Sequence, residues 1–433
     1  MNLHFNPAIS IYPFDSSSIE PMALCDVPSG EGAAKKYAIP LDLLDLIKQF
    51  DGCKETAEVI AAYQGSHPGR HSTKSVENLI ESFLVPKGLL IDPNTKAPLR
   101  SEPSKRKSSL YIRLPIIPPR IVTPIATAMS WLFIRPIFLF LFTFFVIAHV
   151  AFYSITLPGY HFSLNNVRGA EILVVYALTT LTALFHEFGH ASALHFYDCK
   201  RAEIGWGLYL IYPVLYTDVS DAWRLKRGER AIVNIAGIYF QCIPLIILAL
   251  IYFQTGSSIL LYSIIIVNMS MISALNPFLR NDGYWLVTDL FGIHNLRQQS
   301  FDLLKRLLMK IFPPKHKVTL PSWNLSRKAS VILGVYILTG TIFALNLLKI
   351  IGSLVLFEIA PNYPSVLLAF WNAILKRPFE ILPVAVASLD VQWRGLVLIG
   401  FALFILRTLR AIWRGLKDLV QCLMESRKGN GEQ

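Results

Sequence analysis

Charge is scarce in this sequence. Only 16% of its 433 residues are Asp, Glu, Lys or Arg, against about 25% in an ordinary soluble domain, while 53% are hydrophobic. That balance argues against a soluble globular enzyme of the usual kind. Cysteine is sparse as well. Cys25, Cys53, Cys199, Cys242 and Cys422 are scattered without paired spacing, which excludes a disulfide framework and a cysteine metal knuckle. Residues 1–30 lack a positively charged start followed by an apolar core, so no signal peptide is expected and the N-terminus is placed in the cytoplasm. The formal charge of +12 would fit nucleic acid, but the basic residues are not interleaved with aromatics, and no nucleic-acid partner is expected.

What is abundant is long apolar runs, and they begin only after a polar first part. Residues 1–93 read as a soluble domain and 94–128 as a linker, its Asn94–Ser109 part rich in Pro, Ser and charge. Residues 129–415 read as membrane and 416–433 as a cytoplasmic tail. In the soluble part, residues 42–50, 56–63 and 75–85 have helical apolar spacing, and 88–91 reads as a short strand. Three helices followed by a strand predict a winged-helix-like α+β domain. Six segments approach the roughly 20 apolar residues a bilayer requires: 132–155, 171–195, 231–253, 257–279, 329–350 and 394–413. The fold class expected is therefore an all-α polytopic membrane protein with a small N-terminal α+β domain. The shorter stretch 363–375 is expected to be re-entrant or interfacial, and 295–312 to be an amphipathic helix on membrane lipid.

Basic residues orient this layout. The loop after the second span holds Lys200, Arg201, Arg224, Lys226, Arg227 and Arg230, and the loop after the fourth includes Arg297, Lys305, Arg306 and Lys310. The turn 254–258 between the third and fourth spans carries no charge. Lys/Arg-rich loops stay inside, so both basic loops are assigned to the cytoplasmic side of a cell membrane.

The second span ends in His186-Glu187-Phe188-Gly189-His190. Histidines four apart on a helix share one face, so both imidazoles reach one ion, and zinc suits such ligands while leaving a position open for water. Glu187 is then free of the metal and placed to act as the catalytic base. Ionisable groups inside an apolar span are costly, which favours a functional site over a solvated helix end. The third ligand is expected from Asn276-Pro277-Phe278-Leu279-Arg280-Asn281-Asp282-Gly283, where the fourth span ends on the same side. Pro277 breaks the helix there, and Gly283 permits a turn that aims Asp282 inward. Asp218, Asp221, Asp289 and His294 are competing ligands.

His186-Glu-Phe-Gly-His190 with Asn276-Pro-Phe and Asp282-Gly-Tyr-Trp285 resembles the site-2 protease family of intramembrane zinc metalloproteases, in its peptide zinc metalloprotease branch. The resemblance covers about residues 170–300. It implies His186, His190 and Asp282 as Zn2+ ligands and Glu187 as base. Many members separate the Asn and Pro by two residues, whereas Asn276 and Pro277 are adjacent. The N-terminal helices and strand are similar to the winged-helix domains, related to the chaperone of pyrroloquinoline quinone biosynthesis, that hold leader peptides. That likeness implies a leader adding a strand to the wing.

The function expected is zinc-dependent cleavage of a precursor peptide or a membrane-spanning segment, as in leader removal. Asn276, Asn234 and Asn268 are the candidate substrate-binding residues. The alternative is a non-proteolytic protein that holds a peptide for an exporter or modifying enzyme.

Overall fold

The computed structural model describes residues 3–16, 20–28, 35–67, 72–91, 110–156, 158, 169–199, 202–209, 212–293, 295–311, 325–376 and shorter stretches between 384 and 413. The Pro/Ser-rich linker around 94–109, His294 and the tail 416–433 lie outside the described residues, as does part of the sixth expected span.

The N-terminal domain runs β1 (His4–Phe5), β2 (Ser10–Phe14), β3 (Met22–Val27), β4 (Lys35–Pro40), α1 (Leu41–Lys48), α2 (Thr56–Ser66), α3 (Thr73–Leu79) and β5 (Leu90–Ile91). The helices fall where the apolar spacing put them, the third lengthened by a π turn over Ile80–Leu84. β5 pairs antiparallel with β1, and β2–β3–β4 form an antiparallel meander with β3 in the centre. Leu46, Ile47, Ile60, Tyr63 and Leu84 close the core under these sheets, each almost fully buried. Four strands before residue 41 were not foreseen. They are short, and Pro13 within β2 obscures the strand pattern, which is tolerable because β2 is an edge strand.

The second part runs β6 (Leu110–Ile117), α4 (Pro119–Met129), α5 (Arg135–Thr156), α6 (Gly169–Phe196), β7 (Ile204–Tyr209), β8 (Tyr212–Thr217), α7 (Arg227–Thr255), α8 (Ser258–Ala274), α9 (Asp282–Phe291), α10 (Leu296–Ile311), α11 (Arg327–Ser353) and α12 (Ala360–Lys376). It is mostly helical but not all-α. β7 and β8 make a hairpin extended by β6, where the sequence reading had a loop. Aromatic and β-branched residues dominate these strands and suit a pleated surface. α5, α7 and the run Arg327–Lys376 are long and apolar enough to cross a membrane, and α8 is apolar but shorter. On α5 and α11 the apolar side chains point outward, with Phe140, Ile147, Val150, Leu338 and Leu345 all more than 60% exposed. An exposed apolar surface of that extent is suited to lipid rather than water.

Two expectations need correction. The fourth span stops at Ala274 rather than 279, because a helix seldom reaches the residue before a proline, here Pro277. The stretch 363–375, expected to be re-entrant or interfacial, is part of a helix, Ala360–Lys376, so the re-entrant loop is the half that falls. This helix continues α11 through a π turn over Leu354–Ile359, and the 50 residues of this run extend about 75 Å at 1.5 Å per residue, well beyond a hydrocarbon core of about 30 Å.

α7 is the axis of the second part. It packs against α5, α6, α8 and α9, and Val233, Ala236, Tyr239 and Phe240 are fully buried along it. Glu229 accepts the amide of Lys226 at its start, and Gly256 ends it in the left-handed conformation at φ 63°.

Candidate metal centre

The last turns of α6 bring His186 and His190 onto the face turned to α7. Small residues let the helices approach. A Cβ at Gly189 would strike the Ala236 carbonyl, and one at Gly237 would strike the His186 ring. The third group arrives from the far end of α8. After Ala274 the chain turns through Asn276, whose Oδ1 accepts the Phe278 amide at 2.9 Å, and restarts as α9 with Asp282 as its first residue. The carbonyls of the turn itself are satisfied from outside it: Tyr336 donates to Pro277 O at 3.0 Å and Arg297 to Phe278 O at 3.0 Å. Gly283 serves by close approach rather than by an unusual φ, since a Cβ there would overlap the Leu275 carbonyl.

The result is a tight cluster. His186 Nε2 lies 2.9 Å and His190 Nε2 3.5 Å from Asp282 Oδ2, and the two Nε2 atoms are 3.1 Å apart. Among the described residues these three side chains form a group able to hold one metal ion. The outer ring atoms are already engaged. His186 Nδ1 donates to Gln241 Oε1 at 3.1 Å, and His190 Nδ1 donates to the Val233 carbonyl at 2.8 Å. Protons held at both Nδ1 atoms turn both Nε2 lone pairs toward Asp282. A tetrahedral ion with bonds of about 2.0–2.2 Å sets its donors roughly 3.3–3.6 Å apart, and the separations of 2.9, 3.1 and 3.5 Å lie within or a few tenths of an ångström below that range. The donor set therefore fits zinc. Burial alone would raise the Asp282 carboxyl, but when the Nε2 atoms are instead protonated, the charge and hydrogen bonds of His190 and His186 outweigh it and hold the group below the usual carboxylate range.

Glu187 stands beside the cluster without joining it. It is 7% exposed, and its Oε2 accepts the Thr217 hydroxyl at 2.7 Å. Thr217 ends β8, so the unforeseen hairpin is what orients this carboxylate.

The rival ligands are employed elsewhere. Asp218 accepts the Ser220 amide at 3.0 Å, Asp221 pairs with Lys36 at 2.7 Å, and Asp289 pairs with Arg230. His294 is outside the described residues. The candidate substrate asparagines have bonds inside the fold: Asn234 donates to Asp289 Oδ2 at 2.7 Å, and Asn268 to Ile264 O at 2.8 Å. Asn276, through its turn, is tied directly to the approach of Asp282. Thr217 and Val233 were missed by sequence reasoning. A backbone carbonyl carries no sequence signal, and Thr217 could have been found only by recognising the hairpin.

Comparison with known proteins adds one partial likeness. Over 115 residues the chain is 27% identical to the Bacillus subtilis (strain 168) protein named "Putative peptide zinc metalloprotease protein YydH". The match takes in 26% of this chain and 45% of that protein, so the chain spans less than half of the relative it matches. No family model matches the chain, and no solved structure does.

Proposed function

We propose that this chain is a membrane zinc peptidase of the site-2 protease type, which cuts a precursor peptide or a membrane-spanning segment at the cytoplasmic face. The observation that carries the reading is the convergence of His186 Nε2, His190 Nε2 and Asp282 Oδ2 with Glu187 beside them and outside the donor set. The name of the partial relative supports the same chemistry. Six spans, with the N-terminal domain and the basic loops inside, are part of the proposal. So are leader-peptide binding by residues 1–93 and an exporter or modifying enzyme as partner.

Zinc held by His186, His190 and Asp282 supplies Lewis acidity toward a peptide carbonyl and toward water. Gln241 and the Val233 carbonyl keep the imidazoles in the tautomer that binding requires. Glu187 takes a proton from the attacking water as its oxygen bonds to the carbonyl carbon. It then returns that proton to the amine nitrogen as the C–N bond breaks. Asn276, on the turn before Asp282, is the asparagine proposed to meet the substrate backbone. A helical substrate has to unwind there, because its own hydrogen bonds would otherwise occupy the backbone groups.

The test is Glu187→Gln. Zinc content and membrane insertion should persist while hydrolysis falls by about two to four orders of magnitude. Intact-mass analysis of a precursor encoded beside the gene, co-expressed with either form, reads the outcome. Equal trimming in both would end the reading, and trimming in neither would favour the peptide-holding alternative.

A further inference from the structure

One face of α7 carries more than the histidine supports. Arg230, Asn234, Gly237 and Gln241 recur at three to four residues, so they line up along one side of the helix. The upper pair, Gly237 and Gln241, touches His186. The lower pair holds α9. Arg230 Nε meets Asp289 Oδ1 at 2.5 Å and Asn234 Nδ2 meets Asp289 Oδ2 at 2.7 Å, with all three residues at least 91% buried. Asp289 lies seven residues, or two turns, after Asp282, on the same face of α9. Fixing Asp289 therefore fixes where Asp282 points.

The same guanidinium reaches the N-terminal domain. Arg230 Nη2 donates to the Asp15 carbonyl at 3.1 Å, and its charge sits 5.3 Å from the centre of the Phe14 ring. Phe14 is buried and also stacks on Trp223 at 5.9 Å, which in turn meets Trp285 of α9 edge-on at 6.0 Å. The end of β2 thus closes over Arg230 and keeps it dry. In a desolvated setting the carboxylate and aromatic partners of an arginine all strengthen.

We propose that Asp289 and Arg230 form a positioning latch for Asp282, completed by Phe14 of the N-terminal domain, so that docking of this domain sets the order of the metal centre. The proposal rests on the metal-centre reading above, and the experiment separates the two. In full-length protein, zinc affinity is measured by chelator competition, and amide hydrogen exchange over residues 282–291 is measured without metal. The variants are Asp289→Asn, Phe14→Ala and Phe14→Tyr. Asp289→Asn and Phe14→Ala should each weaken zinc binding by about tenfold or more, the scale of lost outer support at a metal site. They should also speed exchange across α9 while leaving α5 and α8 protected. Phe14→Tyr keeps the ring and should restore both readings to wild type. Asp289→Asn leaves Arg230 buried without its carboxylate and risks misfolding, so Phe14→Ala decides if that variant is not recovered. Unchanged exchange over 282–291 in Phe14→Ala overturns the latch. So does a loss that Phe14→Tyr fails to restore. If wild type binds no zinc, the metal reading fails, and the exchange arm still decides the latch.

Discussion

No methyl group fits between Gly237 and His186. A Cβ on Gly237 would collide with the Nε2, Cδ2 and Cε1 atoms of the imidazole. By helix propensity alone Gly→Ala should stabilise α7 by about 1 kcal/mol, so any loss reports the collision. Gly237→Ala is expected to tilt His186 away from Asp282 and lower zinc content sharply. Gly228→Ala, on the same helix with open space around it, should keep wild-type zinc. Elemental analysis of both variants checks this, and equal zinc in the two removes Gly237 from the site.

Histidine replacement tests the donor set itself. His186→Ala and His190→Ala should each lose most bound zinc, and chelator treatment of wild type should abolish cleavage until zinc is returned. Full zinc in either variant would show that the metal is held elsewhere.

Thr217 holds Glu187, the proposed base, rather than a metal ligand. A hydrogen bond to a charged group is worth about 1.5–3 kcal/mol, or roughly 10–100-fold in rate when lost. Thr217→Val should lower cleavage by that factor with zinc unchanged, and Thr217→Ser should recover most of it. Zinc loss in Thr217→Val would mean that β8 supports the ligands instead of Glu187.

The parts of this site that were legible are those written in local spacing. His186-Glu187-x-x-His190 announces a shared helical face, and Pro277 announces the end of a helix, so Asp282 could be named before the chain was seen folded. What was not legible depends on distant pairing. β7 and β8 read as a loop because their two glycines and Pro213 mask the alternation, so Thr217 went unnoticed. Asn234 looked like a substrate contact because a polar residue in an apolar helix has no visible partner until Asp289, 55 residues away, is brought beside it. The segment 363–375 looked separate from the fifth span, since nothing in its composition says that the α11 run continues into it. Local periodicity fixes elements, whereas partners across helices come only with packing.

Buried Cys25, in the central strand β3, tests the N-terminal core. Burial pushes its thiol up to about 11 from an ordinary 9.0. The folded chain therefore keeps its proton in that interval while an unfolded one releases it. This contribution is level below about pH 9 and then lowers stability as pH rises toward 11, by at most about 1.4 kcal/mol per unit. At pH 8 iodoacetamide should label exposed Cys53 and spare Cys25, and urea should open both. Peptide mapping that finds Cys25 alkylated as fast as Cys53 in folded protein contradicts the strand assignment.

The proposed side of the N-terminal domain can be checked independently of catalysis. Lys36 pairs with Asp221 at 2.7 Å, and Arg224 pairs with Asp26 at 2.6 Å and sits 4.9 Å from the Tyr12 ring centre. These bonds join β2–β4 to the segment between β8 and α7, so on the proposed layout the two lie on one side. α7 is long and apolar enough to cross a membrane, and on the proposed layout Gly256, which ends it, lies at the opposite face. The function proposed above puts that shared face in the cytoplasm, on the ground of its Lys/Arg excess. A membrane-impermeant maleimide should therefore reach native Cys53, and a cysteine placed at Lys226, only in inside-out vesicles. A cysteine placed at Gly256, where a left-handed φ makes substitution strained but the surroundings are open, should react only in right-side-out vesicles. Labelling of Cys53 and position 226 from opposite sides would break the docking of the two domains. Labelling of both from the outside would leave the docking intact and reverse the orientation.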